Sequence, residues 1–360
     1  MTIQQKLKNF NIRANPHHLY YGPEWLVLGV NNVCNLHCKM CDVGTGYTES
    51  NFSQNLIGTH PLHMPIELIR LLMDQAARYY PKVKIGYAFT EPLVYKHLIE
   101  SLEYAQQKKL YCSITTNALT LSQKADDLCR TNLNDIFISL DGPESIHNEI
   151  RGHAQSFQKA VEGMEKLFSH STHPEVSVFC VITEWNIGHL ENFLSFFNKY
   201  PLKQIGFMHT NFTPDWLAIE HNKKHGDQYK ATLSNTEDIN LKNMNLELLW
   251  QEIQNIRKSA WNFPVSFSPD VKTYDELKRF YLHPDSFFGK ICNDAFRNIM
   301  IKSDGSVIPA HGRCYNLTVG NLYRENLKQI WNSSTISNFR KDLMKAGGLF
   351  PACSRCCSAF

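Results

Sequence analysis

The chain has 360 residues, of which 43% are hydrophobic and 20% charged, and its formal net charge is +3. These values are typical of a globular protein with a sizeable core, and the charge is too small to indicate a nucleic-acid partner. No apolar run reaches the ~18 residues of a membrane span, and the N-terminal residues lack the apolar core of a signal peptide. We therefore expect a cytoplasmic protein, without a membrane or nucleic-acid partner, in which clustered cysteines are metal ligands or catalytic thiols.

Six buried strands alternate with helical patterns over the first half of the chain. The strands are predicted at residues 25–30, 83–89, 110–116, 135–140, 176–183 and 204–209. The helices between them are predicted at residues 64–80, 95–108, 122–130, 156–169 and 188–199. Near-continuous apolar strands that alternate with helices are typical of a parallel sheet covered by helices. The count favours an α/β fold with a partial (β/α)6 barrel of parallel strands over a closed eightfold barrel.

The alternation ends after residue 209. Residues 213–240 are polar and predict an irregular segment, whereas Leu246, Leu249 and Ile253 mark one face of an amphipathic helix. From about residue 292 the pattern changes to short strands and turns. We therefore divide the chain into an N-terminal extension (1–24), the partial barrel (25–212), an irregular and helical connection (213–290) and a small C-terminal α+β module (291–360).

A first set of cysteines, Cys34, Cys38 and Cys41, directly follows the first strand. Parallel α/β folds carry their active sites at this end of the strands. Three thiolates can hold three irons of a four-iron cluster and leave the fourth iron open, whereas four would close every iron. An open iron can bind a ligand, so this set favours chemistry over electron storage. The alternative is a structural zinc site, to which His37 would contribute the fourth ligand.

This spacing and the ends of the later strands resemble the radical S-adenosylmethionine (SAM) superfamily, over residues 25 to about 210. Met40 replaces the aromatic residue usual before the last cysteine, and the two glycines of the family's Gly-Gly-Glu-Pro motif are lost. The matching strand ends are Phe89-Thr90-Glu91-Pro92, Thr115-Thr116-Asn117, and Ser139-Leu140-Asp141-Gly142-Pro143 followed by Ile150-Arg151-Gly152. The last stretch resembles the branch with C-terminal auxiliary iron–sulfur clusters, the SPASM and twitch group.

The resemblance implies a [4Fe–4S] cluster that binds SAM at its open iron and cleaves it reductively to a 5′-deoxyadenosyl radical. This radical takes a hydrogen atom from the substrate. Glu91 would face the SAM amino group, Ser139 and Arg151 would lie near the ribose and carboxylate, and Asn117 would also contact the cofactor. The structural alternatives are an acid at a helix N-terminus for Glu91 and a surface ion pair for Arg151. An electron donor such as flavodoxin or ferredoxin is an expected partner.

A second set of cysteines, near the C-terminus, offers four thiolates, enough to close an auxiliary [4Fe–4S] cluster. Its members are Cys292, Cys314, Cys353 and Cys356. The surrounding residues are similar to the twitch module, but Ala310 stands where the family usually has a cysteine. Either Cys314 or His311 would then complete the ligand set. Zinc is the alternative metal, and Cys357 has no assigned role because two adjacent thiolates seldom reach one metal.

The leading hypothesis for the reaction is the oxidation or rearrangement of a small polar metabolite, such as a sugar or an aminocyclitol. It rests on the N-terminal extension, since about 24 residues cannot hold the peptide-recognition domain that peptide-modifying relatives often carry. The alternatives are a maturase of peptide or protein side chains and a non-catalytic metal-binding scaffold. Candidate substrate contacts are Trp185, Asn186, His209 and Asn211, for each of which a packing or turn role is at least as well supported.

Overall fold

The computed structural model of the protein describes residues 2–236 and 239–360. Within these residues, ten strands form one sheet in the order β10-β9-β8-β1-β2-β3-β4-β5-β6-β7. In chain order they are β1 (Trp25–Leu28), β2 (Lys84–Tyr87), β3 (Tyr111–Thr116), β4 (Asp135–Ser139), β5 (Glu175–Ile182), β6 (Gln204–His209), β7 (Val265–Ser268), β8 (Asn298–Ile301), β9 (Ser306–Pro309) and β10 (Gly320–Asn321).

Thirteen α-helices lie in the described part of the chain, together with five short 3-10 turns. The helices are α1 (Ile3–Ala14), α2 (Asn51–Ile57), α3 (Ile66–Tyr79), α4 (Leu98–Gln107), α5 (Leu121–Arg130), α6 (Glu144–Arg151), α7 (Ser156–Phe168), α8 (Leu190–Phe197), α9 (Asp215–His225), α10 (Leu246–Lys258), α11 (Tyr274–Leu282), α12 (Leu327–Trp331) and α13 (Ser334–Lys345). The 3-10 turns are Pro92–Val94, Leu241–Asn243, Asp294–Phe296, Pro351–Cys353 and Cys357–Ala359. None of these helices is long and apolar enough to cross a membrane.

Strands β1 to β7 lie side by side in chain order and are all parallel. The six predicted strands are confirmed, and the fold is the predicted α/β class with a parallel sheet. The seventh strand, β7, was not predicted; it extends the sheet beyond β6, with Val265 paired to Ile205. Two of its four residues are exposed, one is partly buried and only Phe267 is buried, and so short a run carries too little periodicity to be recognised.

The C-terminal strands continue the same sheet on its other side. Strand β8 pairs in parallel with β1, so that Asn298 lies opposite Trp25, and β9 and β10 follow as antiparallel strands. The C-terminal module is thereby joined to the first strand of the barrel. The predicted boundaries between modules stay a prediction, since the sheet runs without a break across them.

Six of the thirteen helices were predicted, namely α3, α4, α5, α7, α8 and α10, and seven were not, namely α1, α2, α6, α9, α11, α12 and α13. Helix α1 occupies the N-terminal extension, and α9 occupies part of the segment 213–240 that was expected to be irregular. Residues 237 and 238 of that segment lie outside the described residues. The apolar residues of α9 follow one another, from Trp216 to Ile219, so they form no stripe of helical period. Pro214 and Asp215, just before and at its first turn, are the helix-start signals that were present.

Packing inside the barrel brings the first cysteine set close to the C-terminal module. Phe52 and Leu56 of α2 pack against Met300 of β8 and Ile308 of β9 in a separate apolar cluster. Cys41 packs against the same cluster. The loop that follows β1 therefore shares its apolar support with the strands that lead to the second cysteine set.

Candidate active site

The loop that carries the first cysteine set is folded tightly on itself and onto α6. The amide of Cys41 donates to the carbonyl of Cys38 at 3.2 Å, and the amide of Lys39 donates to the carbonyl of Ile150 at 2.9 Å. Gly44 is required for this fold, because a Cβ atom there would lie only 2.4 Å from the carbonyl oxygen of Cys38. The close backbone approach explains the glycine that follows the cysteines.

The chemistry of the three thiols fits a cationic cofactor. Burial, together with the nearby Cys41 and Cys34, raises the pKa of the Cys38 thiol to about 12, although the positive charge of Arg151 acts to lower it. Burial also raises the pKa of Cys34. Thiolates are the ligand form, so these buried groups ionise only beside positive charge, which iron would supply. The three positions therefore suit the [4Fe–4S] cluster.

Within residues 2–236 and 239–360, the group of three possible metal ligands whose atoms lie within 4.8 Å of one another is His311, Cys356 and Cys357. The thiols of the first loop do not form such a group.

Glu91 lies at the end of the second strand, where its buried carboxylate collects three hydrogen bonds. Its Oε1 accepts from the Thr116 hydroxyl at 2.6 Å and from the amide of Leu93 at 2.9 Å. Its Oε2 accepts from the amide of Asn117 at 2.8 Å. Burial raises its pKa above the ordinary value, while the hydrogen bonds act in the opposite direction. Glu91 thus has the structural role at the turn Pro92–Val94, and Oε2 can accept one further donor.

The side chain of Asn117 links the third strand to the cysteine loop, since its Nδ2 donates to Oδ1 of Asn35 at 2.8 Å. Ser139 is the last residue of β4 and is half-buried. Their predicted contacts with SAM stay predictions. Both residues stand at the carboxyl ends of parallel strands, on the same edge of the sheet as Glu91.

Arg151 forms a buried ion pair, not a surface one. Its Nε and Nη2 lie 2.6 and 2.5 Å from Oδ2 of Asp141, whose side chain is fully buried. The remaining Nη1 lies 3.6 Å from Sγ of Cys38. The guanidinium therefore contacts the cluster loop directly, and its predicted place near the SAM carboxylate stays a prediction. Asp141 fixes it, and is itself held by the amide of Val181 at 2.9 Å.

The second cysteine set lines one cavity. Its walls include Cys292, Cys314, Cys353 and Cys356, together with His311. Burial raises the pKa of the Cys353 thiol to about 12, and Cys356 raises it further. Four buried thiols around a common cavity are the donor set of a closed four-iron cluster.

The candidate substrate residues divide into packed and accessible ones. His209 is buried, with Nδ1 2.8 Å from the hydroxyl of Tyr281, and burial lowers its pKa to about 3. Asn186 is also buried and donates to the carbonyl of Val181. Both contacts favour the packing role. Asn211 lines the cavity of the second cysteine set, and the ring of Trp185 lies 5.4 Å from Nζ of Lys39 in the cluster loop.

Three residues near the second cysteine set carry interactions that sequence reasoning missed. Asp294 and Ser358 are hydrogen-bonded to each other at 2.8 Å, beside His311. The hydroxyl of Tyr315 lies 3.2 Å from Sγ of Cys353. The sequence signal that could have pointed to them is their position next to cysteines, since Tyr315 directly follows Cys314, Ser358 directly follows Cys357 and Asp294 lies two residues after Cys292.

Comparison with known proteins agrees with this arrangement. The model of the radical SAM superfamily matches residues 29–197, and that of an iron–sulfur cluster-binding domain, SPASM, matches residues 292–357. The chain is 28% identical over 194 residues to a serine-type anaerobic sulfatase-maturating enzyme of Bacteroides thetaiotaomicron, covering 51% of this chain and 45% of that protein. It is 32% identical over 124 residues to a GTP 3′,8-cyclase of Mycolicibacterium smegmatis, covering 34% of this chain and 32% of that protein. The chain thus spans less than half the length of either relative.

Solved structures share the fold. SuiB of Streptococcus suis, bound to SAM, superposes with a TM-score of 0.64 at 15% identity, over 97% of this chain and 75% of that one. The protein anSMEcpe with bound SAM superposes with a TM-score of 0.59 at 18% identity, over 88% and 82%. The two family models indicate the cofactors of this chain, namely a [4Fe–4S] cluster, SAM and an auxiliary iron–sulfur cluster. The chain thus carries a radical SAM domain followed by a C-terminal SPASM iron–sulfur domain, the arrangement of the SPASM and twitch branch of the radical SAM superfamily.

Proposed function

We propose that the protein modifies a side chain of a peptide or protein by radical SAM chemistry. The observation that carries this proposal is the nature of its relatives. One is the sulfatase-maturating enzyme of Bacteroides thetaiotaomicron, and a mycofactocin maturase of Mycobacterium ulcerans is 25% identical over 183 residues, covering 49% of this chain and 45% of that protein. SuiB has also been solved with its precursor peptide SuiA, with a TM-score of 0.62 at 14% identity, over 93% of this chain and 70% of that one.

The oxidation of a small polar metabolite, the leading hypothesis from the sequence, is now the second candidate. The similarity to the GTP 3′,8-cyclase supports it, but that match covers only 34% of this chain. The matches to the two maturases cover 51% and 49%. Peptide or protein substrates are therefore better supported.

The residues around the first cysteine set are suited to protect a reactive intermediate. When bound there, the cluster and SAM supply the hydrogen-abstracting 5′-deoxyadenosyl radical. Leu36, Met40 and Ile150 form an apolar cluster with Cys38, against which Trp185 packs. Such a surround excludes water and competing hydrogen donors. Within it, Arg151 would hold the thiolate of Cys38, and Glu91 would orient the amino group of SAM.

A deuterium-transfer experiment tests the proposal and requires no purified substrate. The organism that carries the gene is grown in deuterated medium, and its extract is divided into a protein and peptide fraction and a low-mass metabolite fraction. Each fraction is incubated anaerobically with reconstituted protein, SAM and dithionite, and deuterium in 5′-deoxyadenosine is measured by mass spectrometry. We expect deuterium from the peptide fraction, and none in the Cys38→Ala control. Deuterium from the metabolite fraction alone would establish the second candidate instead.

A further inference from the structure

The orientation of His311 decides whether this residue can be an iron ligand. The ring is buried, and its Nδ1 lies 3.1 Å from the amide nitrogen of Arg313, which is a donor. Nδ1 must therefore be unprotonated and accept this hydrogen bond through its lone pair. In a neutral imidazole only one ring nitrogen carries a proton, so the proton lies on Nε2.

The contacts on the other side of the ring require the same tautomer. Nε2 lies 2.6 Å from the hydroxyl oxygen of Ser358, and that hydroxyl lies 2.8 Å from Oδ2 of Asp294. An ionised carboxylate only accepts, so the serine hydroxyl donates its single proton to Asp294. The oxygen of Ser358 is then left to accept the Nε2–H of His311.

Two thiols face the same Nε2–H. Sγ of Cys357 lies 3.6 Å from Nε2 of His311, and Sγ of Cys356 lies 4.0 Å from it. An imidazole nitrogen binds a metal through a lone pair, and Nε2 has none while Nδ1 accepts from the backbone. We infer that His311 is a positioning residue, whose Nε2–H is donated to Ser358 and shared with the more distant sulfur of Cys356, and that Cys314 completes the ligand set of the auxiliary cluster.

The loop between Ala310 and Cys314 explains how the thiol reaches this place. The amide of Cys314 donates to the carbonyl of His311 at 2.9 Å, which closes a turn directly after Ala310. Nδ2 of Asn55, in α2, donates to the carbonyls of Gly312 and Cys314 at 3.0 and 2.8 Å. The turn is thus fixed from both sides, and it brings Cys314 into the cavity with the other three cysteines.

The inference has a redox consequence that is independent of the substrate. Hydrogen bonds to cluster sulfurs are among the factors that set the reduction potential, because they stabilise the more negative, reduced state. The ligand sulfur near this N–H is that of Cys356, at 4.0 Å, so the shared contact should hold the potential of the auxiliary cluster slightly above the value without it.

Three variants of the full-length, reconstituted protein test the assignment by iron content. Cys314→Ala should lower the iron from about eight to about four per chain, whereas His311→Ala and His311→Gln should keep about eight. Loss of about four irons in both His311 variants, with full iron in Cys314→Ala, would make His311 the ligand and overturn the inference. The glutamine variant retains a donor, so it remains informative if the alanine variant folds poorly.

The donor role is tested separately, by spectroscopy on a background that lacks the first cluster. With Cys34, Cys38 and Cys41 replaced by alanine, only the auxiliary cluster contributes to the signal. We expect His311→Ala to lower its midpoint potential, with a smaller shift in His311→Gln, and to abolish a weak ¹⁴N coupling in pulsed electron paramagnetic resonance. Strong coupling of a bound nitrogen, or an unchanged potential in His311→Ala, would refute the donor role. These outcomes need no substrate, so they stand apart from the test of the proposed function.

Discussion

Replacing Glu91 by glutamine separates the structural role of this carboxylate from its expected role in binding SAM. A glutamine keeps an oxygen for the Thr116 hydroxyl and the Leu93 amide, but it places an NH2 group opposite the amide of Asn117. Two buried donors then face each other without an acceptor, and each unsatisfied donor costs about 1–3 kcal/mol, or about 2–6 kcal/mol for the pair. Removing the charge also relieves the burial cost that raises the pKa of Glu91. We therefore expect the unfolding free energy to fall by about 2 kcal/mol, the lower end of the range for the pair.

The effect on SAM adds to this loss. A charge-assisted hydrogen bond from an ammonium to Oε2 is worth about 1.5–3 kcal/mol. Its loss corresponds to a dissociation constant about 10- to 150-fold higher. Urea unfolding without SAM measures the first effect, and calorimetric titration with SAM under anaerobic conditions measures the second.

Thr116→Val is the control, because it removes one donor to Glu91, together with the acceptor of the Ala118 amide, and keeps the carboxylate. It should cost about 1–3 kcal/mol of stability and leave SAM affinity nearly unchanged. If Glu91→Gln loses stability while its SAM affinity changes less than about twofold, below ~0.5 kcal/mol, the carboxylate serves the turn alone. If its stability is unchanged, our account of the three hydrogen bonds is wrong.

Three further outcomes follow from the buried groups. Replacing all three cysteines of the first loop by alanine should lower the iron content from about eight to about four atoms per chain. Cys38→Ala alone should end the formation of 5′-deoxyadenosine. If 5′-deoxyadenosine still formed in that variant, the loop would have no part in SAM cleavage. Asp141→Asn leaves the buried guanidinium of Arg151 without a counter-charge, and should lower the unfolding free energy measured in urea by about 3–5 kcal/mol. A loss below about 1 kcal/mol would mean that this ion pair contributes no more than a surface pair. The folded-state pKa of His209, about 3, lies below the unfolded value of 6.5, so the unfolded chain takes up the proton first and stability falls as the pH drops below 6.5. Between pH 7.5 and 5.5 this group should cost about 1.4 kcal/mol, and His209→Gln should lose less over the same range; equal losses would contradict the shift.

The parts of the fold that the sequence predicted are those with a strong local pattern. Each of β1 to β6 is a short apolar run bounded by turn residues, and each of the predicted helices α3, α4, α5, α7 and α8 has an apolar stripe. Strand β7 has neither feature, because it is a four-residue edge strand with mostly exposed or half-buried side chains. It is specified by pairing with β6, a tertiary contact that no local pattern reports.

The candidate site divides in the same way. The first cysteine loop and Glu91 lie within short motifs at strand ends, so their places could be predicted. The partners of Glu91 could be predicted only in part, since Thr116 and Asn117 reach it from the next strand of the sheet. Ser358 lies 47 residues from His311 and 64 residues from Asp294 in the sequence. No spacing rule connects such positions, so the choice between Cys314 and His311 had to await the hydrogen bonds.

The connection 213–290, which carried no predicted site residue, has a structural task at the second cysteine set. Arg355 lies between Cys353 and Cys356, and its buried guanidinium donates to five backbone carbonyls. The acceptors belong to Phe280, Arg279, His283, Ser286 and Ser354. All five N–H donors of the side chain are thereby used, and four of the acceptors lie at or just after the end of α11. A lysine has three donors without the planar geometry, so it could not replace these contacts. The end of α11 therefore fixes the turn that places two of the four thiols, although it contributes no ligand itself.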